Sequence, residues 1–272
     1  KFEVILIDDF STDNSWKIIE KLIKSNKNIR GVRLSKNFGQ HNALLCGIVK
    51  SKGKIIVTLD DDLQHDPREM HKLLDKLDKK NDVVYGNSNI KEQNFIRNLV
   101  TSISKFFIKH IVGIKIVDKI SPYRAFKSEI KHIFENYTES FVNIDVLLSW
   151  ATSKIASVKI ENKKRKYGKS NYNNSILINY TLNLIISFST RPLRYSSILG
   201  FVIAVFGVFI FCYVIFNWIL YGSVVRGFPF LASIICIFSG TQLIVLGIIG
   251  EYIAKIHNNN MKKNSYLIDE EI

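Results

Sequence analysis

The chain has 272 residues, of which 47% are hydrophobic, and it carries a formal net charge of +14. This hydrophobic content excludes a disordered protein and is sufficient for a folded core. The positive charge predicts an anionic partner, which could be a nucleic acid, anionic lipid head groups or a phosphorylated substrate. The three cysteines are far apart in the sequence, so neither a disulfide framework nor a zinc site is expected.

The N-terminal part of the chain alternates between short β-branched segments and helical segments. The strand-like segments are FEVILID, IRGVRLS, KIIVTLD and DVVYG, and the helical segments begin near Thr12, Gly39 and Pro67. Strand and helix in repetition predict an α/β domain with a parallel sheet that is covered by helices.

Three polar clusters follow the strand-like segments of this predicted sheet. They are Asp8 with Asp9, Lys36 with Asn37, and Asp60 to Asp62. Ligands of such sheets bind beyond the carboxyl ends of the strands. We therefore expect the three clusters to converge on one rim.

The segment KIIVTLDDDLQHDP places three adjacent carboxylates at the end of an apolar strand. Their mutual repulsion is offset by a hard divalent cation, and oxygen ligands suit Mg²⁺ or Mn²⁺. In an extended segment Asp60, Asp62 and Gln64 point to one side and Asp61 to the other. Mg²⁺ usually keeps coordination positions open for substrate phosphates, so the expected ligand is a nucleotide diphosphate.

Two later segments have the amphipathic pattern of helices that lie in the head-group plane of a membrane. In residues 94–113 the polar positions Arg97, Thr101, Ser104 and Lys105 share one helical face. In residues 175–189 Asn179, Asn183 and Ser187 form a narrow polar stripe on an apolar helix. Packing of either helix against a protein core is the alternative.

Two long uncharged runs follow, at residues 195–225 and 227–250, with Arg226 between them. Each run is long enough to cross a hydrocarbon core of about 30 Å as a helix. A pair of buried helices in a soluble bundle is disfavoured, because such helices normally keep a polar stripe. Basic residues flank the hairpin on both outer sides, so the positive-inside rule places both termini and the N-terminal domain in the cytoplasm.

Six segments in this order, followed by the hairpin, resemble the polyprenyl-phosphate glycosyltransferases. They are VILIDDFSTDNS, LSKNFGQHNALLCGI, VTLDDDLQHDP, SPYR at 121–124, RKYGKSNY at 165–172 and SFSTRPLR at 187–194. These enzymes are membrane-bound family-2 glycosyltransferases with a GT-A fold, similar to dolichyl-phosphate mannose synthases and undecaprenyl-phosphate sugar transferases. The resemblance implies a nucleotide-sugar donor, a polyprenyl-phosphate acceptor, and Mg²⁺ or Mn²⁺ as cofactor.

The resemblance also implies the organisation of the chain and the roles of individual residues. Residues 1–165 would form the GT-A domain, 166–194 a juxtamembrane amphipathic segment, 195–256 two transmembrane helices and 257–272 a cytoplasmic tail. The implied donor-nucleotide residues are Asp8, Asp9, Lys36, Asp60 and Asp61. The implied metal ligands are Asp60, Asp62 and Gln64. The implied acceptor-phosphate residues are Arg97, Thr101, Arg124, Arg165 and Lys169. The implied catalytic residues are Asp60, Asp62 and Arg124.

The expected reaction is a single displacement at the anomeric carbon of the sugar. A lipid phosphate is already anionic at neutral pH and needs no general base, and the metal neutralises the charge of the departing nucleoside diphosphate. Such a displacement inverts the anomeric configuration. Asp145 is therefore expected to have a structural or sugar-contacting role.

The sequence departs from the family pattern at three places. The family usually opens with a strand that carries a Pro-x-Tyr-Asn-Glu-like motif, and this sequence begins after that point, so one wall of the nucleotide pocket is expected to be absent from it. Phe10 stands where a glycine is common. Asn87 and Ser88 stand where an arginine is often found.

Three other functions compete with sugar transfer to a lipid. A nucleic-acid-binding membrane protein would leave the acidic rim unexplained, because carboxylates repel phosphate backbones, so no nucleic-acid partner is expected. A processive polysaccharide synthase would need more membrane spans than two. A non-catalytic membrane partner or lipid-phosphate-binding protein with the same fold stays open. Small residues such as Gly200, Ala204 and Gly207 permit close helix packing, either within the hairpin or in a homo-oligomer.

Overall fold

The computed structural model describes residues 1–87, 95–113, 117–139, 141–161, 174–221, 227–261 and 263–272. The chain divides into two compact units. The first comprises Lys1–Leu184 together with Asn258–Ile272, and the second comprises Ile185–His257.

The first unit contains the alternating region that the sequence predicts. Its strands are β1 (Val4–Asp8), β2 (Ile29–Leu34), β3 (Ile55–Thr58), β4 (Val83–Asn87), β5 (Arg124–Lys127), β6 (Ile155–Lys159) and β7 (Ile268–Glu271). Its helices are α1 (Ser15–Ser25), α2 (Gln40–Lys50), α3 (Met70–Lys76), α4 (Phe95–Phe107), α5 (His132–Glu135), α6 (Ile144–Ala151) and α7 (Asn174–Phe188), the last of which continues into the second unit. The four strand-like segments of the sequence thus become β1 to β4.

The first sheet has the strand order β1-β2-β7. β1 and β2 are parallel, as expected, with Val4 opposite Ile29 and Asp8 opposite Arg33. β7 is antiparallel to β2 and lies within residues 257–272, which the family resemblance predicts to be a cytoplasmic tail. Glu271 of β7 forms ion pairs with Arg30 at 2.8 Å and with Lys50 at 2.6 Å. The C-terminal residues are therefore part of the folded domain.

The second sheet has the strand order β3-β5-β4-β6, and it corrects the expectation of a parallel sheet. β5 runs antiparallel to both β3 and β4, whereas β6 is parallel to β4. The sequence does not reveal β5, because its four residues, RAFK, begin and end with a charged side chain and lack an apolar run. Mixed sheets of this kind are common in α/β and α+β folds.

Helix α2 packs against the cores of both sheets. Ala43 and Cys46 lie in a buried cluster with Val32 and Leu34 of the first sheet. Leu45 and Ile48 lie in a second cluster, with β3, β4 and β5 side chains. Since the loop before α2 follows β2, this packing fixes the position of that loop relative to the strand ends of both sheets.

The second unit contains α8 (Arg191–Tyr221) and most of α9 (Phe228–Asn260). Within them Arg191–Leu220 and Ile237–Asn260 are long and apolar enough to cross a membrane, and their apolar stretches are not buried inside the protein. A Cβ atom at Gly207 of α8 would lie 2.9 Å from the ring of Phe238 in α9, so a larger residue there would require this side chain to shift.

The end of α7 and the turn before α8 are contacted by side chains of α9. The Tyr252 hydroxyl donates a hydrogen bond to the Ser189 carbonyl at 2.6 Å, and the Lys255 ammonium donates to the Ser187 carbonyl. These carbonyls belong to the end of α7 and to the turn that follows it, where helix carbonyls have no partner within the helix and favour a nearby cation.

Candidate functional site

The loop after β3 contains the acidic cluster. Asp60, Asp62 and Gln64 are half-buried, whereas Asp61 and Leu63 are exposed. The extended conformation that the sequence predicts is interrupted at Leu63, and the shared side of the first three stays a prediction. Asp62 Oδ1 accepts a hydrogen bond from the backbone N–H of Gln64 at 3.1 Å, which closes a tight turn around Leu63. Leu63 has a φ of 59°, a left-handed conformation that is unusual for leucine.

Asp60 is connected to the N-terminus of α2. The Gln40 side-chain amide donates a hydrogen bond to Asp60 Oδ1 at 2.8 Å. Burial and then the negative charge of Asp62 raise the pKa of Asp60. Two carboxylates that repel each other in a partly buried position are suited to a divalent cation. No group of three or more His, Cys, Asp or Glu side chains with metal-binding geometry occurs in the described residues.

Asp9 holds the loop that precedes α2. Its two carboxylate oxygens accept hydrogen bonds from the backbone N–H groups of Phe38 at 2.7 Å and Gly39 at 2.8 Å. Gly39 has a φ of 91°, which favours glycine at this position. Asp9 therefore positions the loop that carries Gln40, and Gln40 in turn contacts Asp60. The acidic ends of β1 and β3 are thus joined through one loop.

Asp8 lies beside Asp9 but is buried, with 3% of its surface exposed. Its Oδ1 accepts a hydrogen bond from the Ser11 N–H at 3.2 Å, and its Oδ2 lies 3.3 Å from Nε of Arg33. The Arg33 guanidinium lies 5.6 Å from the ring centroid of Phe10 and 5.9 Å from that of Trp16. Asp8 thus anchors a cation beneath the Phe10 ring.

Phe10 has a φ of 62°. This left-handed conformation explains why glycine is common at the corresponding position of the family, since a side chain there costs about 1–2 kcal/mol. Lys36, the remaining predicted donor-binding residue, is exposed, and its ammonium lies 5.0 Å from the Phe38 ring. Phe38 links Lys36 to the end of β1, because its backbone N–H donates to Asp9.

Arg124, a predicted acceptor-binding and catalytic residue, lies in a buried polar cluster. Arg124 is 2% exposed, and its guanidinium forms an ion pair with Asp145 and donates a hydrogen bond from Nε to Thr58 Oγ1 at 3.0 Å. The Tyr85 hydroxyl also donates to Asp145, at 2.9 Å. In this arrangement the guanidinium contributes to the buried cluster and faces Asp145. The expected role of Arg124 in acceptor binding and catalysis stays a prediction.

Asp145 belongs to the buried cluster that also contains Arg124, Thr58 and Tyr85. Burial and then the Asp145 charge raise the pKa of Tyr85 well above its usual range, so Tyr85 stays protonated and donates to the carboxylate. Of the two roles expected for Asp145, structural or sugar-contacting, these contacts favour the structural one.

His41, for which the sequence predicts no role, connects three helices near this cluster. Its Nδ1 accepts a hydrogen bond from the Ile144 N–H at 3.3 Å, so its proton lies on Nε2, 3.0 Å from the Tyr180 hydroxyl. Asn143 donates to the same hydroxyl at 2.6 Å. Burial lowers the pKa of His41 to about 4 and keeps the ring neutral. No sequence pattern brings these residues together, because they are distant along the chain.

The remaining predicted acceptor residues lie in the segment before the membrane helices. Thr101 is half-buried on α4. The side chain of Arg97 and the residues Arg165 and Lys169 lie outside the part of the chain that the structure describes. Their expected contact with the acceptor phosphate stays a prediction.

Comparison with known proteins assigns the chain to a family. Residues 1–134 match the glycosyl transferase family 2 domain. The chain is 32% identical over 273 residues to the undecaprenyl-phosphate 4-deoxy-4-formamido-L-arabinose transferase of Shewanella sediminis, covering 99% of this chain and 82% of that protein. The transferase of the same name from Proteus mirabilis is 29% identical, with 99% and 84% covered.

Among solved structures, glucosyl-3-phosphoglycerate synthase from Mycobacterium tuberculosis, in complex with Mn²⁺, UDP-glucose and phosphoglyceric acid, has a TM-score of 0.48. It is 14% identical, and 67% of each chain is covered. The family-2 match and the long alignment with curated transferases confirm the resemblance that the sequence motifs indicate. The chain belongs to the polyprenyl-phosphate glycosyltransferases, with a GT-A domain followed by a transmembrane hairpin.

Proposed function

We propose that the protein transfers a sugar from a UDP-sugar to undecaprenyl phosphate and thereby forms a lipid-linked monosaccharide of the cell envelope. The observation that carries this proposal is the connection between the acids at the ends of β1 and β3, which we call the acidic rim. Asp9 holds the loop that contains Gln40, and Gln40 contacts Asp60. This arrangement brings the ends of β1 and β3 together at the position where GT-A folds are expected to bind a nucleotide diphosphate.

Asp60, Asp62 and Gln64 are the proposed ligands of Mg²⁺ or Mn²⁺. Two carboxylates and one amide leave coordination positions for diphosphate oxygens, which is the usual arrangement for Mg²⁺ with phosphate substrates. The raised pKa of Asp60 supports the proposal, because a cation would relieve the repulsion by Asp62. When bound, the metal neutralises charge on the departing nucleoside diphosphate. Exposed Asp61 and Lys36 are proposed to contact the donor from the outer side of the rim.

The proposed reaction needs no general base from the protein. A phosphate oxygen of the lipid forms the new bond to the anomeric carbon while the bond to the diphosphate oxygen breaks, so the configuration inverts. Asp145 is an unsuitable base, since its carboxylate accepts from Tyr85 and pairs with Arg124. The chain's own contribution is to bind the donor, orient it and exclude water.

The acceptor side is proposed to lie at the cytoplasmic face of the inner membrane. Ile103, Phe106 and Phe107 of α4 are exposed, whereas Ser104 on the same helix is buried. An exposed apolar face beside Lys105 and Lys109 is typical of helices that lie in a head-group plane. Basic residues at Arg97, Arg165 and Lys169 are proposed to receive the lipid phosphate there.

The first sugar to test is 4-deoxy-4-formamido-L-arabinose, because the curated relatives named above carry that sugar in their names. Glucose is the second, since the RKYGKSNY segment resembles both the aminoarabinose-type and the glucosyl branches of the family. N-acetylglucosamine and mannose complete a panel that covers the alternatives.

The testing experiment measures transfer from labelled nucleotide sugars to undecaprenyl phosphate by detergent-solubilised protein with Mg²⁺, Mn²⁺ or EDTA. Metal-dependent formation of one lipid-linked sugar is the expected result, and it identifies the donor. Asp62→Asn should abolish it, whereas Asp75→Asn, an exposed acid on α3, serves as the matched control. Failure of every donor with folded protein would favour a non-catalytic lipid-phosphate-binding protein instead.

A further inference from the structure

Phe10 has a left-handed backbone conformation and an exposed side chain. In the described residues it shares a positive φ with only one other non-glycine residue, Leu63, and the residue is 43% exposed. A strained backbone persists when its surroundings hold it, and such residues cluster at binding sites. The exposed ring adds little to the core, and a glycine would adopt this backbone without strain.

The Phe10 ring lies against the guanidinium of Arg33, which forms an ion pair with Asp8. The Arg33 guanidinium lies 5.6 Å from the Phe10 centroid and 5.9 Å from that of Trp16, and Asp8 anchors it from the buried side. A cation against an aromatic ring orders both groups. The buried Asp8 carboxylate therefore fixes the position of Phe10 through Arg33.

We propose that Phe10 is the surface on which the nucleobase of the donor stacks, and that Asp8 acts by holding Arg33 beneath it. The inference rests on the proposed function, because it assumes that the donor nucleotide binds at the end of β1. Every nucleobase presents a flat π face, and an aromatic side chain of this kind is a common stacking partner. The preference for one base over another then comes from groups around its edge, such as Lys36 and the loop that Asp9 holds.

The test compares binding of UDP with binding of pyrophosphate, which lacks a base. Both are titrated calorimetrically with Mg²⁺ into the detergent-solubilised full chain. Phe10→Leu keeps an apolar side chain but loses the aromatic face, so its Kd for UDP should rise about tenfold. Its Kd for pyrophosphate should not change. Phe10→Tyr keeps the aromatic face and should bind UDP as the wild type does.

Phe10→Gly provides a second variant that is certain to tolerate the backbone conformation. It should also weaken UDP binding without lowering the Tm, which distinguishes loss of stacking from loss of folding. Trp150→Ala, which removes an exposed aromatic residue of α6, is the control and should leave UDP binding unchanged.

The results of this test distinguish failure of the Phe10 stacking role from failure of the proposed function. Wild-type protein that binds UDP while Phe10→Leu and Phe10→Gly bind it equally well would overturn the stacking role and leave the proposed function intact. Equal weakening for UDP and pyrophosphate would also overturn it, because the effect would not involve the base. Wild-type protein that binds none of UDP, CDP, dTDP and GDP would refute the nucleotide donor as well.

Discussion

Removing the Asp145 carboxylate should destabilise the protein strongly, because it leaves the Arg124 guanidinium buried without its counter-charge. Arg124 is 2% exposed, and the hydroxyls of Thr58 and Tyr85, which also contact it, are neutral. Breaking a buried ion pair by removing one partner costs about 3–5 kcal/mol. Tyr85 loses the acceptor of its hydroxyl in the same variant, which adds to the cost.

The matched comparison is the double variant Arg124→Met with Asp145→Leu. Replacing a buried ion pair by apolar side chains of similar volume is often neutral or stabilising, so most of the loss should be recovered. Thermal unfolding followed by tryptophan fluorescence in detergent measures this, and each kcal/mol shifts the Tm by about 2–4 °C in a domain of this size. Asp145→Ala should therefore lower the Tm by about 10 °C.

The same double variant tests the role of Arg124 in the reaction. If Arg124 only stabilises the fold, the double variant should keep sugar transfer, with an unchanged KM for the lipid acceptor. A Tm for Asp145→Ala within about 2 °C of the wild type would refute the structural argument. Restored stability together with a strongly raised acceptor KM would return Arg124 to the role of a phosphate ligand.

Three further predictions follow from the acidic rim and from β7. Asp62→Asn should abolish transfer and leave the Tm in EDTA unlowered, and turnover at the wild-type rate would remove the metal proposal. Asp60→Asn should raise the Tm at neutral pH in EDTA: the folded-state pKa of Asp60 is raised, so its ionised form costs stability once the pH exceeds that pKa. Added Mg²⁺ should then stabilise this variant less than the wild type, and equal stabilisation would contradict its role as a ligand. Hydrogen bonding from Lys50 and Arg30 lowers the pKa of Glu271, so its contribution to stability is lost as the carboxylate is protonated below about pH 4.5. Glu271→Gln lacks this carboxylate and should therefore lose less stability than the wild type on acidification. The effect should stay below about 1 kcal/mol, as for other exposed ion pairs, and identical acid unfolding of variant and wild type would argue against these contacts.

The elements that the sequence predicted well are those with a strong local pattern. β1 to β4 are runs of β-branched and apolar residues, and α2 begins directly after a glycine with a positive φ. β5 and β7 were missed because RAFK and IDEE mix charged and apolar residues, so their strand conformation depends on neighbours far along the chain. The helices α8 and α9 could be predicted from the length and composition of their apolar runs alone.

The candidate site likewise contains features that a local pattern predicts and features that depend on distant residues. The sequence by itself determined which acids follow the strands, and hence that Asp8, Asp9 and Asp60 to Asp62 lie at the carboxyl ends of strands, because polar residues at those ends are a local feature. Only the tertiary structure decided what each side chain contacts. It joined Asp9 to Asp60 through the loop of Gln40, and it enclosed Arg124 with Asp145, which are 21 residues apart. Burial and pairing depend on which distant residues fill the space around a charge, and no pattern within one segment contains that information.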